Sequence, residues 1–231
     1  MRYLALAIDY DGTLAPDGLV RNRTLAALRT FKRSGGRVIL ITGRQLDDVL
    51  GVFPPVDLVD RIVAENGALL FNPSDGSVET RGEMPPEQFM AALRARRLSP
   101  LSVGRVIVAT SQPHEPVVRE TIRDLGLDHQ VILNGDALMI LPAGVHKGSG
   151  LATALAQLRV STSDTVGVGD AENDEDFLHM CGYRVAVANA LPALKERADW
   201  VTASPNGDGV IELIDRLLDS SQDLPARAAR G

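Results

Sequence analysis

The chain has 231 residues, enough for one large domain or for a core with a smaller module, and either buries a sizeable hydrophobic core. A formal charge of −6 excludes a general nucleic-acid binder, whose affinity rests on a basic surface. The single cysteine, Cys181, excludes an internal disulfide framework and a thiolate-rich zinc site, and suits a reducing cytoplasm. Hydrophobic residues at 45% with only 4% aromatics fit an α/β enzyme better than a fibrous or disordered chain.

The first apolar run, Tyr3 to Ile8, is cut by Asp9 and Asp11, too early for a signal-peptide core or a membrane span, so no membrane partner is expected. This run, Arg37 to Ile41 and Thr165 to Val168 lack clean alternation, as strands buried on both faces of a parallel sheet do. Between the first two, Leu25, Leu28 and Phe31 recur at helical spacing and Gly35-Gly36 ends the pattern, giving a strand-helix-strand unit with a right-handed crossover. Further helices are expected over Lys147 to Leu158, after Glu172, and from Gly209 to Leu218. The alternation predicts an α/β fold with a doubly wound, mostly parallel sheet.

Residues 82–142 read differently. A Pro-Pro start leads to a helix through Phe89 and Leu93, a strand Arg105 to Thr110, a helix near Val117 to Leu125, and strands flanking Asn134-Gly135, a strong hairpin signal. The expected organisation is a core of residues 1–81 and 143–231 with a small α+β insertion at 82–142. The polar tail from Ser220 to Gly231 is expected to fray.

The sequence Asp9-Tyr10-Asp11-Gly12-Thr13 follows the first strand directly, which puts two carboxylates at the carboxyl end of the sheet, where open α/β folds take their ligands. Two carboxylates one residue apart suit a hard cation such as Mg²⁺, and one of them can attack phosphorus while the other moves protons. Taken alone, the pair reads equally well as aspartates of a turn. Thr42-Gly43-Arg44 follows the second strand and is read as opening a helix, so Thr42 is either a phosphate ligand or a helix N-cap. Lys147 starts a helix and offers a compact ammonium to a phosphate. In Gly167-Val168-Gly169-Asp170-Ala171-Glu172-Asn173-Asp174, Asp170 and Asp174 lie four apart at a helix start, read as one face. Four converging carboxylates repel one another, so a bound cation is the economical partner, with Lys147 adding positive charge. The run is no dinucleotide fingerprint, because Glu172 stands at its third glycine position.

These four segments, in this order and at strand ends, resemble the four motifs of the haloacid dehalogenase-like phosphatases over nearly the whole chain. With Glu65-Asn66-Gly67, Lys147-Gly148 and Val187-Ala188-Asn189-Ala190 added, the chain is similar to the Cof-like branch. The resemblance implies Asp9 as nucleophile, Asp11 as general acid/base, and Mg²⁺ held by Asp9, the Asp11 backbone carbonyl and Asp170, with Asp174 supporting the metal shell. It implies that Thr42 and Lys147 bind the transferred phosphoryl group, that Asn173 supports the site, and that Gly12 and Gly43 let backbone amides approach it. The insertion stands where that branch has its cap, which closes over substrate. Its small size is similar to the archaeal-type phosphoglycolate phosphatases and some sugar-phosphate phosphatases; Asp9 to Leu14 is also similar to the trehalose-phosphate phosphatases.

Other residues read more plainly. Arg44 contacts phosphate or pairs with Asp47 or Asp48 one turn on, the ion pair being favoured. His146 reads as structural or solvated, His114, His129 and His179 form no zinc pattern, Cys181 reads as a packed side chain and Trp200 as core. The expected function is hydrolysis of a small phosphorylated metabolite by a monomer or homodimer. A phosphomutase and a catalytically silent phospho-ligand module are the alternatives.

Overall fold

The strand within the first apolar run, Ala5–Asp9 (β1), begins after an exposed Leu4 and is covered on both faces, which explains its lack of alternation: every one of its residues is buried. The computed structural model describes residues 3–53, 55–219 and 224, so all of the expected frayed tail except Leu224 lies outside the described residues. β1 pairs in parallel with Arg37–Ile41 (β2) on one side, and β2 continues to Arg61–Ala64 (β3). Two antiparallel strands, Leu69–Asn72 (β4) and Ser77–Thr80 (β5), complete that edge.

The chain then leaves the sheet and builds a second layer. Glu87–Ala95 (α3) and Glu115–Asp124 (α4) cover an antiparallel sheet of Ser102–Val103 (β6), Val108–Ser111 (β7), His129–Asn134 (β8) and Ala137–Pro142 (β9), in the order β6-β7-β9-β8. Along β9 the pleat sends Leu138 and Ile140 into a small cluster with Phe89, Leu93, Val108 and Val118, while Met139 and Leu141 join the main core. β9 is therefore buried on both faces, against the helices of its own layer and against the larger layer. Entry and exit lie side by side: a Cβ on Gly82 would stand 2.7 Å from the Pro142 ring.

Back in the large sheet, Lys147–Leu158 (α5) leads to Thr165–Gly169 (β10), which pairs with the free side of β1. Tyr183–Ala186 (β11) and Trp200–Val201 (β12) extend that edge, giving the order β12-β11-β10-β1-β2-β3-β4-β5. The remaining helices are Asn22–Arg33 (α1), Leu46–Val52 (α2), Glu175–Met180 (α6), Pro192–Arg197 (α7) and Asn206–Leu218 (α8). Order reverses between β10 and β1, so a crevice opens beyond their carboxyl ends, the position where doubly wound sheets take ligands. No described helix is long and apolar enough to cross a membrane.

The structure departs from the sequence reading at several points. The strand expected over Arg105 to Thr110 begins only at Val108, because the amides of residues 105–107 turn toward a core side chain. The β8–β9 hairpin exists, but its register pairs Asn134 with Ala137, so the two turn residues are Gly135 and Asp136. The last helix starts at Asn206, ahead of Gly209. Trp200 is only partly buried on the edge strand, where the Arg216 guanidinium lies 5.5 Å from its ring centre. Cys181 is packed as expected, its thiol donating to the Phe177 carbonyl.

Candidate active site

Asp9 is the last residue of β1 and is only 4% exposed. Its Oδ1 stands 2.6 Å from the Lys147 ammonium, which is 2% exposed at the first position of α5 and lies 2.6 Å from Asp174 Oδ1 as well. The second oxygen of Asp174 accepts hydrogen bonds from the amides of Asp170 (2.9 Å) and Ala171 (3.0 Å). Asp170 Oδ1 accepts from the Thr13 hydroxyl at 2.7 Å. Gly12 has no Cβ to collide with the Asp170 carboxylate, so the loop after β1 closes down on the β10 loop. Asn189 holds this loop from the outside, its Nδ2 donating to the Gly12 carbonyl at 2.8 Å.

Oxygens of Asp9, Asp170 and Asp174 lie within 4.8 Å of one another. With Lys147 as the ammonium paired to them, three carboxylates, when all are ionised, leave negative charge over, and a hard divalent cation matches both that charge and the oxygen donors. Burial pushes the Asp9 pKa well up, Asp174 pushes it further, and Lys147 pulls against both. Burial likewise raises Asp170 to about 6, with the Thr13 hydroxyl opposing and Asp174 adding to the rise. For Lys147, burial favours loss of the proton, yet Asp174 and Asp9 outweigh it and its pKa is raised.

Asp11 does not join this cluster. Its carboxylate takes both arms of the Arg44 guanidinium, at 2.7 and 2.6 Å, and Arg44 also lies over the Tyr10 ring at 5.5 Å. Three carboxylates converge, then, and the partner expected for Arg44, Asp47 or Asp48, is replaced by Asp11. Thr42 is fully buried, but it opens no helix: α2 begins at Leu46, and the Thr42 hydroxyl accepts from the Arg44 amide at 3.0 Å within its own turn. Nor do Asp170 and Asp174 share a helix face. Asp170 precedes the short 3₁₀ turn Glu172–Asp174, and Asp174 folds back onto the Asp170 amide. Gly43 lies beside Asn173 and Met139. Asn173 Nδ2 donates to Asn66 Oδ1 at 3.2 Å, while Asn66 Nδ2 and Asn173 Oδ1 are buried without a protein partner.

Thr13, Glu65, Asn66 and Asn189 all belong to motifs visible in the sequence, but nothing there assigned them a contact. The available signal was positional: Glu65 and Asn66 follow β3 just as Thr42 follows β2.

Carboxylates, one ammonium and two side-chain amides that each keep one unpartnered atom lie together at the carboxyl ends of parallel strands, a donor set that suits a cation and an anionic ligand. A family model for the haloacid dehalogenase-like hydrolases matches residues 6–112 and 131–214, and the chain belongs to this family. It is 33% identical over 224 residues to a phosphoglycolate phosphatase of Methanothermobacter thermautotrophicus, covering 93% of this chain and 98% of that one. Identity to the phosphoglycolate phosphatase of Natronomonas pharaonis is 32% over 232 residues, with 93% and 98% covered. The fold is shared with a haloacid dehalogenase-like hydrolase from Bacteroides thetaiotaomicron (TM-score 0.80, 20% identity, 94% and 100% covered) and with one from B. subtilis (TM-score 0.72, 20% identity, 93% and 100% covered).

The raised pKa of Asp170 gives a testable sign. Because the fold favours its neutral form, ionising it weakens the metal-free protein; the loss sets in above the unfolded value of about 4 and is complete above about 6. Asp170→Asn keeps an acceptor for Thr13 and should raise the melting temperature of the metal-free protein at pH 7, an advantage that disappears as the pH falls from about 6 to about 4. Thermal melts in chelator across this range check it, and an advantage independent of pH would count against ionisation of Asp170 as its source.

Proposed function

We propose that this chain is a Mg²⁺-dependent phosphatase that hydrolyses a small phosphorylated metabolite, phosphoglycolate being the first candidate, through an aspartyl-phosphate on Asp9. The observation that carries the reading is the buried cluster of Asp9, Lys147, Asp174 and Asp170 at the switch point of the sheet. The substrate class draws support from two relatives named as phosphoglycolate phosphatases that match this chain over nearly their whole length.

Asp9 attacks phosphorus in line with the ester oxygen, and the P–O bond to the leaving group breaks as the bond to Asp9 forms. Asp11 gives its proton to the departing alkoxide, then takes one from the water that attacks the phosphoryl group on Asp9, releasing inorganic phosphate and restoring the carboxylate. Both oxygens of Asp11 are occupied by the Arg44 guanidinium, so Asp11 reaches the leaving group only after leaving Arg44. Lys147 and the Thr42-Gly43 turn hold the phosphoryl oxygens, and the Lys147 ammonium opposes the upward push that burial gives the Asp9 carboxyl. The Asp9, Asp170 and Asp174 carboxylates suit Mg²⁺, which when bound neutralises charge on the transferring phosphoryl group. Residues 82–142 act as the cap, excluding water and selecting the leaving group.

Asp9→Asn should abolish turnover, whereas Asp11→Asn should lower kcat by about 10²–10⁴-fold while leaving phosphate binding nearly intact. Steady-state kinetics with calorimetric phosphate titration separates the two; full activity of Asp9→Asn would remove the nucleophile assignment. Across phosphoglycolate, sugar phosphates, nucleotides and an aryl phosphate, stoichiometric phosphate release should require Mg²⁺ and stop with chelator. Isomerisation of a sugar phosphate without phosphate release would point to a mutase instead.

A further inference from the structure

Glu65-Asn66-Gly67 follows β3 and has no part in the chemistry described above. Its backbone is unusual: φ is +48° at Glu65, +55° at Asn66 and +105° at Gly67, a left-handed run that the first two residues adopt only against steric cost. Each residue of the run faces a different part of the molecule. The Glu65 amide donates to the Arg44 carbonyl at 2.9 Å, and the Asn66 amide to the Thr42 carbonyl at 3.0 Å, so the run holds the backbone of the Thr42-Gly43-Arg44 turn. The Asn66 side chain accepts from Asn173. Gly67 is pressed so closely against His146 and Lys147 that any side chain there would strike the start of α5.

The Glu65 side chain points the other way, into the second layer. Its carboxylate is 1% exposed and accepts three consecutive backbone amides, Arg105 at 2.9 Å through Oε1, Val106 at 2.8 Å and Ile107 at 2.9 Å through Oε2. A buried charge with three donors is a strong and directional contact. Gly104 makes room for it, since a Cβ there would lie 2.5 Å from Oε1. Two further polar contacts join this part of the small layer to the start of α2, Gln45 to Ser102 of β6 and Arg105 to Asp47, and both are exposed.

We propose that Glu65 is a positioning residue: it clasps the 104–107 turn of the small layer, and through the same strained backbone it sets the Thr42 turn and Asn173, so that seating the small layer and shaping the phosphoryl site are one event. The catalytic part of this proposal rests on the phosphatase reading; the clasp itself does not.

Two variants of the full chain test it by different routes. Glu65→Gln puts an amide nitrogen where an acceptor oxygen stood, and Gly104→Ala leaves the charge in place but drives the turn away from it. In both, amide hydrogen exchange over residues 104–109 should speed up at least about tenfold relative to wild type, while peptides from β1 and β10 keep their protection. Calorimetric titration of inorganic phosphate with Mg²⁺ should show affinity falling in parallel by a similar factor, and KM for the best substrate should rise more than kcat falls. Unchanged exchange over 104–109 in both variants overturns the clasp. Faster exchange with unaltered phosphate affinity overturns the coupling. Gly104→Ala decides alone if Glu65→Gln does not fold, and the exchange measurement stands even if wild type binds no phosphate.

Discussion

The site is organised around one buried cation. The Lys147 ammonium, almost without solvent, touches Asp9 from β1 and Asp174 from the loop after β10, and it enters from the first turn of α5. Strand, loop and helix come from distant parts of the sequence and meet at this nitrogen. Such a contact is a poor source of net stability, since the attraction largely offsets the desolvation of the ions, but removing one member leaves charges stranded, at a cost of about 3–5 kcal/mol. Its persistence inside a core of Val, Ile and Leu is better explained by what it does to Asp9. Burial alone would hold that carboxylate neutral; the neighbouring ammonium opposes this.

Asp174 carries the arrangement one layer outward. One of its oxygens meets Lys147 and the other gathers the Asp170 and Ala171 amides, so the residue that balances the lysine also shapes the loop presenting Asp170. Thr13 and Asn189 then tie the β1 loop to the β10 side. Asp11 stands apart, more exposed and held by Arg44, which keeps a fourth carboxylate out of a region already crowded with negative charge.

Much of this was legible in the residues themselves. Strands covered on both faces show as short unbroken apolar runs, and the acidic and hydroxyl residues directly after β1, β2 and β10 mark the carboxyl edge of the sheet. What stayed hidden has a common physical cause. The strands β3, β4, β5, β11 and β12 are at most four residues long, too short for a periodicity to stand out. The end of the strand expected at Arg105 was decided by Glu65, forty residues earlier in the chain. Arg44 pairs with Asp11, thirty-three residues away, rather than with the acids that follow it directly in the chain. In each of these cases a distant partner overrode a local pattern, and a single sequence carries no mark of such partners.

The side-by-side passage of the chain at Gly82 and Pro142 has an evolutionary consequence. Because the excursion returns to its point of departure, the large sheet is spanned equally well by a long detour or a brief one, and the entropy of closing the detour grows only slowly with its length. Lineages can enlarge or trim what lies between these two residues while the large sheet keeps its closure, provided the 104–107 turn still meets Glu65. Changes of length are then confined to one excursion, and the strands that present Asp9 and Asp170 keep their pairing.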